Sequence, residues 1–130
     1  MSAIKITLLL LSLLITFTAF AQTTSLRANE IHMEIMLEDG QVTILWNTMK
    51  EVNTSYFVIE KSEDSLHYTA LKMVSAAGNS VFARHYQITE TEPAAGKVYY
   101  RVRLVTMNGQ QIASAPVITN TGSMANMVSK

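Results

Sequence analysis

A two-residue rhythm of apolar side chains constrains this chain more than any other feature. It recurs in short segments and is broken each time by turn residues. In IHMEIML, Ile31, Met33, Ile35 and Leu37 fall on one side, and His32, Glu34 and Met36 on the other. Successive side chains of an extended strand point to opposite faces, so this pattern specifies a strand with one face buried. QVTILWN repeats it with Val42, Ile44 and Trp46 in phase. YFVIEKS sets Phe57 and Ile59 opposite Val58 and Glu60. Tyr68, Leu71 and Val74 line a further strand, with an irregularity expected near Ala70. RHYQITE places Tyr86 and Ile88 together. KVYYRVRLVTM aligns Val98, Tyr100, Val102 and Leu104, and QIASAPVIT is the last strand.

The intervening residues are turn formers. Gly40 in EDG and Gly109 in NG supply the positive φ that tight hairpins need. Pro93 lacks an amide donor and ends pairing. No stretch after residue 25 sustains a helical period. Seven short antiparallel strands predict an all-β fold, a seven-stranded β-sandwich. Two facing sheets need a core about 10 Å thick. Trp46, Phe57, Tyr68, Tyr86 and Tyr100 are expected to fill much of it.

The first residues follow another rule. MSAIKITLLLLSLLITFTAFAQ has one cation, Lys5, an apolar run from Leu8 to Ile15, and an Ala19-Phe20-Ala21 ending. These are the parts of a secretory signal peptide, with cleavage after Ala21. The run is too short to span the roughly 20 residues of a membrane helix, so no stable span is expected after cleavage. Without cysteine, a lipid-modified cysteine anchor is excluded. The reading assigns 1–21 to the signal peptide, 22–29 to a flexible segment, 30–118 to the sandwich and 119–130 to a flexible tail. The location is then periplasmic or extracellular. Loss of Lys5 leaves nine Lys and Arg against ten Asp and Glu, a net charge of −1. No basic patch marks a nucleic-acid partner. With no disulfide available, packing alone must hold the domain together. A chain of about 100 ordered residues buries enough surface for that.

The order of these elements resembles the fibronectin type III family. More narrowly, it resembles the fibronectin-like module of secreted bacterial proteins, found before a C-terminal sorting domain of the Por (type IX) secretion route. Trp46, Glu51, Asn53, YFVIEKSED at 56–64, Tyr68, AAGNS at 76–80, Tyr86 and Pro93 carry the resemblance, followed by Gly96, YYRVR at 99–103 and Asn108-Gly109. The resemblance implies a sandwich with a buried Trp46. Thr106 stands where the family usually has Asp, and Ser65 where it has Gly. Counting from Leu104, the family's corner tyrosine falls at Val98, so Tyr99 or Tyr100 is expected to take that part. About a dozen residues follow the last strand, which leaves no room there for the sorting domain. The chain is then a free-standing module or a piece of a larger secreted surface protein or enzyme.

Catalytic, cofactor and metal sites are not expected. His32 and Glu34 share an outer strand face, but a metal needs further converging ligands. His67 and His85 read as surface residues. Glu38, Asp39, Glu63 and Asp64 sit in turns, where acids bond their own backbone rather than flank a glycoside. No G-x-S-x-G marks a nucleophile. Asp64-Ser65-Leu66 resembles a bacterial O-glycan acceptor, and Asn53-Thr54-Ser55 fits an N-glycan sequon. The candidate interaction face holds Tyr99, Arg101 and Arg103, with Tyr56 and Glu60 alongside. Exposed Tyr and Arg are favoured at interfaces. The plainer alternative pairs both arginines with Glu60 across strands. The function expected is a non-catalytic interaction or spacer module with a protein partner. The alternative is a carbohydrate-binding accessory domain taking a glycan.

Overall fold

A computed structural model describes residues 27–122 of the 130. The expected signal peptide at 1–21, residues 22–26 of the segment expected to be flexible, and residues 123–130 of the expected tail lie outside the described residues. Eight antiparallel strands form two sheets. They are β1 (Ile31–Glu38), β2 (Gln41–Thr48), β3 (Thr54–Ser62) and β4 (Thr69–Ser75), then β5 (Arg84–Glu90), β6 (Lys97–Thr106), β7 (Gln111–Ala113) and β8 (Val117–Asn120). The smaller sheet has the order β1-β2-β5. The larger runs β4-β3-β6-β7, and β8 also pairs with β6.

The period-2 pattern places the core. Val42, Ile44 and Trp46 of β2 face Phe57 and Ile59 of β3 and Val98, Tyr100, Val102 and Leu104 of β6. These side chains are almost wholly buried. Trp46 stacks on Tyr86, its register partner, with ring centroids 5.4 Å apart. Phe57 of the other sheet meets Trp46 edge-on at 5.6 Å. Such aromatic pairs add about 0.5–1.5 kcal/mol beyond their burial. The Trp46 Nε1 has no hydrogen-bond partner among the described residues.

The hairpin between β1 and β2 is a two-residue turn at Asp39 (φ 50°) and Gly40 (φ 73°). Positive φ at both central positions is the type I′ geometry that matches strand twist. The irregularity expected near Ala70 is a bulge: Ile59 pairs with Lys72, but Glu60 pairs with Ala70. Leu71, the extra residue, packs against the core. This reverses one expectation. Tyr68 precedes β4 and stands on the outer side, with its ring 3.8 Å from the Arg101 guanidinium, and so does not fill the core.

The expected seventh strand is two strands. Pro116 has no amide hydrogen, and the chain leaves the ladder between Ala113 and Val117. Ser114 bridges the break: its N–H donates to Val102 O at 2.8 Å, and its Oγ accepts from Val102 N–H at 3.0 Å. Of the two corner candidates, Tyr100 points inward, and its hydroxyl donates to Glu90 Oε2 at 2.7 Å. Asn29 ties the start of the domain to Lys50 and Val52 at one end of the sandwich. At the opposite end, Thr121 N–H donates to Gly96 O.

Candidate functional site

The outer face of the larger sheet gathers the interaction residues the sequence singles out. Glu60 on β3 lies directly opposite Arg101 on β6, and Val58 lies opposite Arg103. Arg101 Nε donates to Glu60 Oε2 at 2.7 Å. Arg103 donates to Glu60 Oε1 through Nε at 3.0 Å, with Nη2 at 2.9 Å. One carboxylate therefore holds two guanidinium groups. The Arg101 guanidinium also lies over the Tyr68 ring, a cation–π contact. Arg103 reaches on through Nη1 to Gln111 Oε1 at 3.2 Å.

Glu60 itself is not available at the surface. The two arginines roof it, and it is 6% exposed. Burial acts to raise its pKa, but the hydrogen bonds and charges of Arg101 and Arg103 outweigh this and hold it below the ordinary carboxylate value. The side chains left at the surface of this face are therefore Arg101 and Arg103, with Tyr99 near one end of the row and Tyr56 near the other, each half-buried. Lys97 Nζ stands 5.2 Å from the Tyr99 ring centroid. The cross-strand pairing and the exposed face are thus one arrangement.

The histidines lie elsewhere. His32, Asn47 and His85 form a cross-strand row on the outer face of the smaller sheet, and His32 lies 4.0 Å from Glu30. Among the described residues no three metal-ligating side chains converge. His67 Nδ1 bonds Asp64 Oδ2 at 2.6 Å. Asp64 Oδ1 accepts the backbone N–H groups of Leu66 and His67. Those bonds draw the Asp64 carboxyl well below its ordinary range. Ser65 takes φ 66°, the conformation glycine favours, where the resembled family has Gly. Asn53 also has positive φ; its N–H donates to Asn79 Oδ1 at 3.0 Å and its O accepts the Met107 N–H at 2.8 Å.

Sequence reasoning noted Glu51 only as part of a resemblance, yet it is the most deeply buried carboxylate among the described residues. It sits in the crossover from β2 to β3 and is 1% exposed. Its Oε1 accepts the hydroxyls of Thr48 at 2.8 Å and Tyr86 at 2.6 Å. Its Oε2 accepts the Thr54 hydroxyl at 2.7 Å and the Ala77 N–H at 2.8 Å. Burial pushes its pKa up, but the four donors outweigh that and hold the carboxyl below its ordinary value. With every lone-pair direction filled by structural donors, Glu51 is a brace between sheets and not a reagent. The only local signal was a lone acid three residues from a threonine on either side, Thr48 and Thr54.

No protein-family description matches the chain, and no curated protein matches it. Two solved structures resemble the fold. One is a pectate lyase from Pectobacterium carotovorum, with TM-score 0.55 and 12% identity over 70% of this chain and 26% of the enzyme. The other is the pectate lyase PelI from Erwinia chrysanthemi in complex with tetragalacturonic acid, with TM-score 0.55 and 12% identity over 69% of this chain and 28% of the enzyme. The chain thus corresponds to about a quarter of each enzyme's length, and at this identity the likeness concerns the fold alone.

Proposed function

We propose that this chain is an exported, non-catalytic interaction or spacer module of fibronectin type III-like architecture. The strand order β1-β2-β5 facing β4-β3-β6-β7 supports that architecture, as does a buried tryptophan on β2. The observation that carries the interaction role is the Glu60 clamp. Arg101 and Arg103 are fixed before any partner arrives, so little side-chain entropy is lost on binding. Fixed guanidinium groups flanked by tyrosines match the composition of interface hot spots.

The test removes the tyrosines and leaves the clamp intact. Tyr56→Ser with Tyr99→Ser should recover less of a specific partner from outer-membrane and extracellular fractions than the unaltered chain. Equal recovery removes this face from consideration, and recovery of nothing by either favours a passive spacer. Export is checked by the mass of the secreted protein, which should begin at Gln22; an intact Met1 in the membrane fraction contradicts it.

A second reading has its own support. A segment of this shape lies within two pectate lyases, and one of them is in complex with an acidic oligosaccharide. Two arginines beside a tyrosine suit a carboxylate-bearing sugar chain. This reading makes the domain a carbohydrate-binding accessory part of a larger secreted enzyme or surface protein. Retardation of the chain in a polygalacturonate gel, lost in Arg101→Gln, would favour it over a protein partner.

A further inference from the structure

The two ends of the sandwich differ in character. Among the described residues, five of the nine exposed large apolar side chains gather at the end where Asn29 meets Lys50: Met49, Val52, Val81, Phe82 and Met107. Val81 and Phe82 are each 76% exposed and line one shallow hollow with Val52, Lys50 and Arg84. Met107 donates its N–H to Asn53 O and lies against Gly78, which joins it to the same cluster. Lys50 and Arg84 are exposed, and neither pairs with a carboxylate among the described residues. Glu51, the acid beneath them, is sealed by its own donors.

The other end is acidic. Glu38 and Asp39, Glu63 and Asp64, and Glu90 and Glu92 lie in the three connections there or at the strand ends that lead into them. Lys61 and Lys97 are its cations, and Lys61 is already paired with Glu90. Leu66 is the one exposed large apolar side chain in these three connections.

We infer that the end bearing Val81 and Phe82 docks onto an anionic lipid surface. Aromatic and aliphatic side chains that enter the headgroup boundary, with cations set beside them, are what such a surface binds. The acidic opposite end is repelled, so the charge distribution also orients the approach. A second copy is a poorer occupant. Joining two such ends would bring Lys50 and Arg84 of both copies together, and joining unlike ends would leave the apolar cluster facing carboxylates. This docking is independent of the arginine face on the larger sheet.

Vesicle flotation tests it with the exported chain. The chain should float with vesicles containing phosphatidylglycerol and stay behind with pure phosphatidylcholine. Val81→Ser with Phe82→Ser should lower partitioning about tenfold. Lys50→Gln with Arg84→Gln should lower it by roughly fivefold per charge, as each cation near an anionic surface contributes on the order of 1 kcal/mol. Leu66→Ser, at the far end, should float as the unaltered chain does. Circular dichroism melts check that each variant is folded. Flotation independent of lipid charge, flotation unchanged in the Val81/Phe82 variant, or no flotation of the unaltered chain overturns the proposal. So does a stable dimer that the same variant dissociates.

Discussion

The hydroxyl of Tyr86 donates to Glu51 Oε1 at 2.6 Å, joining β5 of the smaller sheet to the crossover that leads into the larger one. The same tyrosine ring stacks on Trp46. One residue thus anchors the aromatic core at one edge and the buried carboxylate at the other. Tyr86→Phe keeps the ring and removes one charge-assisted bond, which should cost about 1.5–3 kcal/mol. Glu51→Gln puts an amide NH₂ before two of the four donors and should cost about 2–4 kcal/mol. Because the bond is shared, urea unfolding of the double variant should show less loss than the sum. Additivity within about 0.5 kcal/mol would contradict a shared bond.

Stability should fall at both ends of the pH scale. Glu51 and Glu60 have pKa values below their ordinary 4.5 in the folded state, so their contribution is complete above that value and is lost as pH drops beneath it. Tyr86 and Tyr100 are displaced upward from 10.0, first by burial and then by their bonds to Glu51 and Glu90. Their contribution is complete below pH 10 and is lost as pH rises beyond it, where the unfolded chain ionises first. Thermal melts from pH 3 to 11 should give a plateau between roughly 5 and 9. A midpoint that rises on going below pH 4 would contradict the carboxylate assignment.

Trp46 gives a sharper test of packing. Trp46→Ala should cost about 3–5 kcal/mol, as for other large aromatic truncations in a core. Trp46→Phe should cost less than about 2 kcal/mol, since the N–H it removes has no partner to lose. If the alanine variant melted within a degree or two of the original, Trp46 would not be at the centre of the sandwich.

The phase of the strands was legible because alternation is local and every core residue of β2 and β6 obeys it. Tyr68 shows where that ends. Spacing alone locates an irregularity near Ala70, but the bulge between Ile59 and Glu60 decides which side receives the tyrosine, and that depends on the pairing partner. Glu51 was illegible for a related reason. Its donors come from positions 48, 54, 77 and 86, which only the closed sandwich brings together. The arginine face was legible in its members, but the burial of Glu60 follows from the depth of the roof above it.

That burial changes what a double substitution does. Exposed ion pairs contribute only about 0–1 kcal/mol, yet Arg101→Ser with Arg103→Ser strips both partners from a carboxylate they cover. Water then reaches Glu60, so the cost should be about 1–3 kcal/mol, below the 3–5 kcal/mol of a fully buried orphan charge. Adding Glu60→Gln should recover part of it in the same melts. A triple variant less stable than the double would mean that Glu60 has another partner.

The chain enters the domain beside Asn29 and leaves it beside Thr121, at opposite poles of the sandwich. A tether pulling on these two points would load it along its strands. β1 would be drawn lengthwise past β2, and β8 past β6, so the bonds of each ladder share the tension and do not open one after another. Antiparallel hairpins pulled from one end unzip; ladders pulled in shear fail together. Stretching a single domain between these poles should give one force peak well above that of the same domain pulled across the β3–β4 turn. Equal forces in the two directions would show that the fold carries no mechanical grain.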